Sequence, residues 1–260
     1  MDFSAAIVDL DGTVYRGGDA VPGAAEAVAA LRDAGLDILF LSNNPTKTPA
    51  AYVERLAGMD IAADESEILS AGSVTTAYLQ DEHGDDAVFP IASPGLRDQL
   101  SAGGLRLVDD PATAAVVVAS WKRDFDYDDM RDALVALDDD TAFVGSDPDR
   151  TIPTGEGRAV PGSGAIIGSV GVVADRDPDV VLGKPADRTT EMALDRLGVP
   201  AGECLLVGDN LDTDIAMGER AGMTTVLVLS GASSRADIET ADATPDHVLD
   251  SLAAVPDALL

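Results

Sequence analysis

The sequence predicts an α/β protein: a parallel sheet covered on both faces by helices, interrupted by a second, inserted α/β domain. Three observations carry this expectation. Short continuous apolar runs alternate with amphipathic stretches, the pattern of doubly buried strands and their crossover helices. Asp9, Ser42 and Asp209 each stand at the carboxyl end of such a run. Between the second and third of these ends lies a stretch with its own strand–helix rhythm, closed by a Gly/Pro-rich tract, "DPDRTIPTGEGRAVPGSGA".

In chain order, residues 5–9 read as a strand, and "PGAAEAVAALRDAG" as a helix with Pro22 near its start and Gly35 past its end. "LDILFLSNN" is a strand running into a polar turn, "TPAAYVERLAGM" a helix, and "SEILSAG" leads into another helix over roughly 72–81. Within the insert, "DAVFPIA", "GLRLV", "AAVVVAS" and "TAFVGSD" read as strands, and "PGLRDQLSAGG" and "YDDMRDALVALD" as helices. Further on, "KPADRTTEMALDRLG" is a helix, "ECLLVGDN" a strand ending in acid, "TDIAMGERAG" a helix and "TTVLVLSG" a strand. "SRADIETA" reads as a helix, and "DHVLDSL" as a short strand or the start of a last helix. Residues 1–81 and 181–260 are therefore assigned to the core domain, and 82–180 to the insert.

Composition narrows the function. A chain of 260 residues with 46% hydrophobic and 25% charged residues folds around a sizeable core. No run of ~18 apolar residues suits a membrane span. The amino terminus lacks the basic region and apolar core of a signal peptide, and Cys204 has no second cysteine to pair with, so a cytoplasmic location is expected. The net charge is −30, and the only lysines are Lys47, Lys122 and Lys184. Such a charge disfavours nucleic acid and anionic membranes as partners. Most of it reads as a solvated surface, tolerable where ~1 M salt shortens the Debye length to roughly 3 Å. A halophilic archaeon with a high-salt cytoplasm is the host this suggests.

Four segments concentrate the chemistry: Asp9-x-Asp11-Gly12-Thr13, Ser42-Asn43-Asn44, Gly183-Lys184-Pro185, and Gly208-Asp209 with Asp214 beyond it. In a parallel sheet, ligands bind beyond the carboxyl ends of the strands. Acids gathered there cannot all ionise unless a cation compensates, and oxygen ligands suit Mg²⁺. Lys184 can neutralise a phosphoryl group as a point charge. Ser42 can donate its hydroxyl, and the turn at Gly12 and Thr13 can add backbone N–H groups. A carboxylate with no histidine partner can itself be a nucleophile, which suits Asp9 at the strand end. Asp11, two residues on, can protonate a leaving oxygen and then deprotonate water. Mg²⁺ on Asp9 and Asp209 would offset the repulsion between nucleophile and phosphate. Plainer roles stand beside these. Asp9 and Asp11 also suit a turn, Lys184 a surface, Asp214 the first turn of a helix, and Asn44 a turn. In the Gly/Pro-rich tract, Asp149 and Arg150 are the polar candidates for contacting a substrate, although that tract also suits a plain loop. His83 and His247 lack metal-ligand spacing and Cys204 lies in an apolar strand, so no zinc site is assigned. Trp121 suits packing or a domain interface as well as a substrate platform.

The segments "DLDGT", "LSNN", "GKP" and "GDNLDTDI", in that order, resemble the haloacid dehalogenase-like (HAD) hydrolases. "LSNNPTKTPAAYVERLAGM" and "DPDRTIPTGEGRAVPGSGAI" resemble subfamily IIA, the NagD-like or 4-nitrophenylphosphatase group. The resemblance implies a Rossmann-like HAD core with an inserted C2-type cap. It implies a Mg²⁺-dependent phosphatase acting on small phosphomonoesters through an aspartyl-phosphate; sugar phosphates, nucleotides, phosphoglycolate and p-nitrophenyl phosphate are all of the right type. Asp9 is then the nucleophile and first metal ligand. Asp11 is the acid/base, with its carbonyl on the metal. Asp209 completes the protein ligands and Asp214 supports them, while Ser42, Asn43 and Lys184 hold the phosphoryl group. Family members often form dimers through the cap, so a homodimer is an expectation. Asp11 separates a phosphatase from a dehalogenase, which needs no leaving-group acid there, and a transport pump would need membrane helices. One departure is Trp121-Lys122, which stands where a short apolar–acidic pair is expected. The alternative from another class is a phosphorylation-controlled, receiver-like signalling module, which also combines acids, Mg²⁺, a hydroxyl and a lysine but stores its aspartyl-phosphate.

Overall fold

The computed structural model of the protein describes residues 3–153 and 158–260. It forms two compact units: Met1–Ser42, Pro49–Leu69 and Lys184–Leu260 make the first, and Asn43–Thr48 with Ser70–Gly183 the second. The second unit thus takes in the helix Ala71–His83, which the sequence assigned to the core domain, and the connection 43–48. Gln99 of the helix Pro94–Ala102 fastens that connection by donating its side-chain amide to the Pro45 carbonyl at 2.9 Å. Among the described residues, no helix is long and apolar enough to cross a membrane.

The first unit is built on a six-stranded sheet in the order His247–Leu249, Thr224–Val228, Cys204–Gly208, Ala5–Asp9, Asp37–Ser42, Ile68–Ser70. The pairings from His247–Leu249 through Asp37–Ser42 are parallel. Ala5–Asp9 and Cys204–Gly208 are buried along their whole length, so neither face shows the polar alternation of a one-sided sheet. Ala6, Val8, Ile38, Phe40, Leu205 and Val207 join one core cluster with Val28 and Leu31 of the helix Ala24–Asp33. The register sets Asp9 beside Leu41 and Val8 beside Val207. It thereby brings Asp9, Ser42 and Asp209 to neighbouring carboxyl ends.

The second unit holds a five-stranded parallel sheet in the order Val180–Val181, Ala142–Gly145, Val116–Ala119, Ala87–Ile91, Arg106–Leu107. The helix Tyr127–Ala136 starts where Asp126 accepts from the amides of Asp128 and Asp129. The helix Ser163–Ala174 has no counterpart in the sequence reading. Its glycines oppose a helix by about 1 kcal/mol each relative to alanine, but burial of Ile166, Ile167 and Val170 against Val117 and Phe143 overrides that preference. The Gly/Pro-rich tract before it forms a hairpin of Thr151–Pro153 with Ala159–Pro161. Residues 154–157, which the sequence reading included in the candidate substrate-contacting loop, lie outside the described residues. The helix expected at "SRADIETA" is a correction: only a 3₁₀ turn, Asp237–Glu239, forms there. That stretch carries one large apolar residue, Ile238, and so has no stripe to bury.

Ser120, Ser146 and Asp147 follow two adjacent strands of this second sheet and are all buried. Ser146 Oγ lies 2.7 Å from Ser120 Oγ and donates to Asp147 Oδ2 at 2.8 Å, and the Asp149 amide donates to Asp147 Oδ1. Burial, with the charge of Asp149, pushes the Asp147 carboxyl up to about 7. Between the ordinary carboxylate range near pH 4 and about pH 7, the native chain keeps a proton that the unfolded chain has lost, so stability falls as pH rises through that window. Asp147→Asn removes this fall. The variant should gain ~4 kcal/mol over the parent at pH 8 and nothing at pH 4, since each tenfold change in proton affinity is worth about 1.4 kcal/mol and the shift spans about three decades. Urea unfolding of both proteins across this range checks it, and identical pH slopes would refute it.

Candidate active site

Asp9 ends the central strand of the first unit and is buried with its carboxylate. Lys184 Nζ donates to Asp9 Oδ1 at 2.5 Å and to Asp214 Oδ1 at 2.7 Å, bridging two acids far apart in the sequence. Asp9 Oδ2 is buried with no hydrogen-bond partner. Asp209 follows the strand Cys204–Gly208, and its Oδ2 accepts from the Ala232 amide at 2.5 Å. The chain then opens into a wide π turn, Leu211–Ile215, before the helix Ala216–Ala221. This turn directs Asp214 inward, where its Oδ2 accepts from the Asn210 amide at 3.1 Å. Asp9, Asp209 and Asp214 each offer an oxygen, and these atoms lie within 4.8 Å of one another.

Three buried acids therefore face one buried ammonium. Burial pushes the Asp9 carboxyl well above its ordinary range; Lys184 opposes this, and the charges of Asp214 and Asp209 add to it. Burial, then Asp214, pushes Asp209 up to about 7 against the Ala232 N–H. Burial alone would lower Lys184, but Asp214 and Asp9 outweigh it and hold the ammonium above the ordinary lysine range. One cation stays charged, and it cannot compensate three carboxylates. A proton or a further cation must make up the difference.

The backbone is shaped around the same carboxylates. Gly12 has φ +99°, and a Cβ there would stand 2.1 Å from Asp209 Oδ2; a Cβ on Gly231 would stand 1.8 Å from the same atom. Only glycine fits either approach. Ser230 Oγ donates to the Gly12 carbonyl at 2.7 Å, tying the first turn to the 230–233 loop. Thr13 is fully buried; its amide closes the turn on the Leu10 carbonyl and its hydroxyl is without a partner. Asp11 is exposed, stands outside the buried triad, and accepts from the Tyr15 hydroxyl at 3.3 Å. Ser42 is buried at the end of its strand and accepts from the Tyr52 hydroxyl at 3.2 Å. Asn43 and Asp149 meet within the second unit, where the Asn43 amide donates to Asp149 Oδ1 at 3.1 Å. Arg150 lines a groove of about 720 Å³ beside Met130, Gly164 and Val172 of that unit.

Residues 6–106 match the family model described as haloacid dehalogenase-like hydrolase, and residues 181–255 match a HAD-hydrolase-like model. A sugar-phosphatase of Bacillus subtilis, AraL, is 35% identical over 95% of this chain and 89% of its own. The chain belongs to the haloacid dehalogenase-like hydrolases. Among solved structures, a p-nitrophenyl phosphatase from Archaeoglobus fulgidus superposes on this HAD chain with a TM-score of 0.93 at 35% identity, covering all of both chains. NagD from Escherichia coli superposes with a TM-score of 0.87 at 28% identity, over 97% of this chain and 98% of its own. The likeness is thus to the NagD and nitrophenylphosphatase subgroup, and the receiver-like alternative falls away. Within this HAD core, sequence reasoning missed the 230–233 loop, Asn210 and Tyr52. The loop was open to discovery, because it too follows the carboxyl end of a parallel strand, Thr224–Val228.

Proposed function

We propose that this chain is a Mg²⁺-dependent phosphatase of small phosphomonoesters that works through an aspartyl-phosphate on Asp9. The observation that carries the reading is the buried trio of acids facing a single lysine, with Asp9 Oδ2 unpartnered. The donor set fits a hard divalent cation: carboxylate oxygens, a tight glycine-lined approach to Asp209, and a charge deficit that one divalent ion brings to neutrality. Asp9 and Asp209 would hold it, with Asp214 in support and the Asp11 carbonyl as a further oxygen. When bound, the ion supplies Lewis-acid neutralisation of the phosphoryl charge.

The residues divide the chemistry. An Asp9 carboxylate oxygen attacks phosphorus; the bond to the ester oxygen breaks, its electron pair stays on the leaving oxygen, and Asp11 gives that oxygen a proton. Asp11, now ionised, takes a proton from water as the water oxygen attacks the same phosphorus. The bond to Asp9 breaks, its carboxylate is restored, and inorganic phosphate leaves. Lys184 holds the Asp9 carboxylate and adds positive charge against the phosphoryl oxygens, and Ser42 donates to one of them. The exposure of Asp11 beside a buried nucleophile supports its exchange of protons with water and leaving group. Gly12 and Thr13 shape the turn. Asn43, Asp149 and Arg150 complete the proposal as residues of the second unit that select the substrate; the Asn43–Asp149 hydrogen bond supports treating the first two as one element.

A sugar phosphate is the substrate type that the name of the AraL relative supports, and p-nitrophenyl phosphate the assay substrate that the Archaeoglobus protein supports. The buried free Cys204 supports a reducing compartment, the cytoplasm. The uncharged helix Ser163–Ala174, with Val172 exposed in so acidic a chain, supports a homodimer. Release of p-nitrophenol from p-nitrophenyl phosphate should require Mg²⁺ and stop with a chelator. Equal release in the chelator, or none with Mg²⁺ and a panel of sugar phosphates and nucleotides, would overturn the reading.

A further inference from the structure

Tyr15 is 0% exposed, yet its hydroxyl reaches the exposed Asp11 and donates to Oδ2 at 3.3 Å. Hydrogen bonds to catalytic groups are often long before substrate binds. A phenol keeps its proton to about pH 10, so it is a donor at neutral pH. The terminal torsion of an aspartate is broad, and a surface carboxylate turns freely unless a partner sets its plane. Tyr15 can set that plane because it is itself held. The Gly12 amide donates to the Tyr15 carbonyl at 2.7 Å, and the Tyr15 amide donates to the Leu10 carbonyl at 3.1 Å. Tyr15 also pairs with Ala20 in a short hairpin, and its ring joins the core cluster of Leu10 and Val14. Arg55 of the helix Pro49–Ala57 stands 3.5 Å over that ring and donates to the Gly17 carbonyl, which clamps the ring in place.

We propose that Tyr15 is a positioning residue: by donating to Asp11 Oδ2 it turns the Asp11 carboxyl toward the leaving oxygen. The role rests on the phosphatase activity proposed above, in which Asp11 gives that oxygen its proton. It does not require that Tyr15 be the sole partner of Asp11, because its signature is chemical. Loss of the tether should slow a substrate in proportion to how badly its leaving oxygen needs a proton. A hydroxyl that only satisfies the core would slow every substrate alike when removed.

The test is Tyr15→Phe, which keeps the ring under Arg55 and removes the hydroxyl. The parent, Tyr15→Phe, Asp11→Asn and the double variant are compared with Mg²⁺ on p-nitrophenyl phosphate and on phenyl phosphate, whose leaving phenolate is the poorer of the two. Single-turnover release of the phenol reports phosphoryl transfer before water takes part, and urea midpoints are recorded beside it. Tyr15→Phe should lose about tenfold more rate on phenyl phosphate than on p-nitrophenyl phosphate, part of the roughly 10²–10⁴ that a placed acid supplies. Asp11→Asn should show a larger bias in the same direction. Adding Tyr15→Phe to it should change either rate by less than about twofold, because no acid is left to aim. Equal losses on the two substrates, a Tyr15→Phe loss undiminished in the Asp11→Asn background, or a Tyr15→Phe chain that no longer folds would each overturn the role, the last because the hydroxyl would then hold the fold. A parent protein that releases neither phenol overturns the phosphatase reading and this role with it. A parent active on both, with an unbiased loss in Tyr15→Phe, overturns only the role.

Discussion

Asp9→Asn loses at least about a thousandfold in kcat, some 4 kcal/mol of barrier, yet melts no lower than the parent. The two halves of this expectation have separate causes. The amide cannot attack phosphorus as a carboxylate does. The stability half follows from charge: burial already pushes the Asp9 carboxyl up, and Asp214 and Asp209 push the same way. Removing one of three buried acids relieves the repulsion, while Lys184 keeps its 2.7 Å bond to Asp214. Steady-state assays beside thermal melts in metal-free buffer check both. Retention of more than about a tenth of the activity, one decade or ~1.4 kcal/mol, would take the nucleophile's role from Asp9.

Lys184→Ala has the other large effect, and it strikes fold and chemistry together. It leaves Asp9 and Asp214 buried without their shared cation, and breaking a buried pair costs about 3–5 kcal/mol. The contribution is fully present below the unfolded lysine pKa, about 10. It disappears only as pH rises through the folded value, which the two acids hold higher still. At neutral pH the loss is therefore complete in the variant and should appear as a lower urea midpoint. Loss of a charge aimed at the phosphoryl group should also lower kcat/KM by about 10²–10³. Lys184→Arg should recover little, because a planar fork does not replace a point charge set between two carboxylates. Unchanged kcat/KM in Lys184→Ala would remove the residue from the site.

The central sheet and the strand ends that gather Asp9, Ser42 and Asp209 were legible because both follow from local pattern. A run such as "AAIVD" or "ECLLVG" states its burial by composition, and the acid after it marks the strand's carboxyl end. Lys184 was legible through scarcity, since a lysine kept in a chain of charge −30 invites a reason. What stayed hidden depends on three-dimensional placement. Tyr52 looks like an ordinary core residue of an amphipathic helix until the helix returns it to Ser42. The Ala232 amide that holds Asp209 belongs to a loop without a charged side chain between 229 and 234. Asn43 and Asp149 are 106 residues apart and meet only once the second unit folds. Gly164, Gly168 and Gly171 disguised the helix Ser163–Ala174, whose stability lies in its packing rather than its propensity.

The most direct measurement is acid quenching of the enzyme during steady turnover of p-nitrophenyl phosphate with Mg²⁺, followed by peptide mass spectrometry. A phosphoryl group on the peptide "MDFSAAIVDLDGTVYR", localised to Asp9 and absent from Asp9→Asn, is the predicted result. Rapid turnover with the label on any other residue, or with no labelled residue at all, would contradict the account.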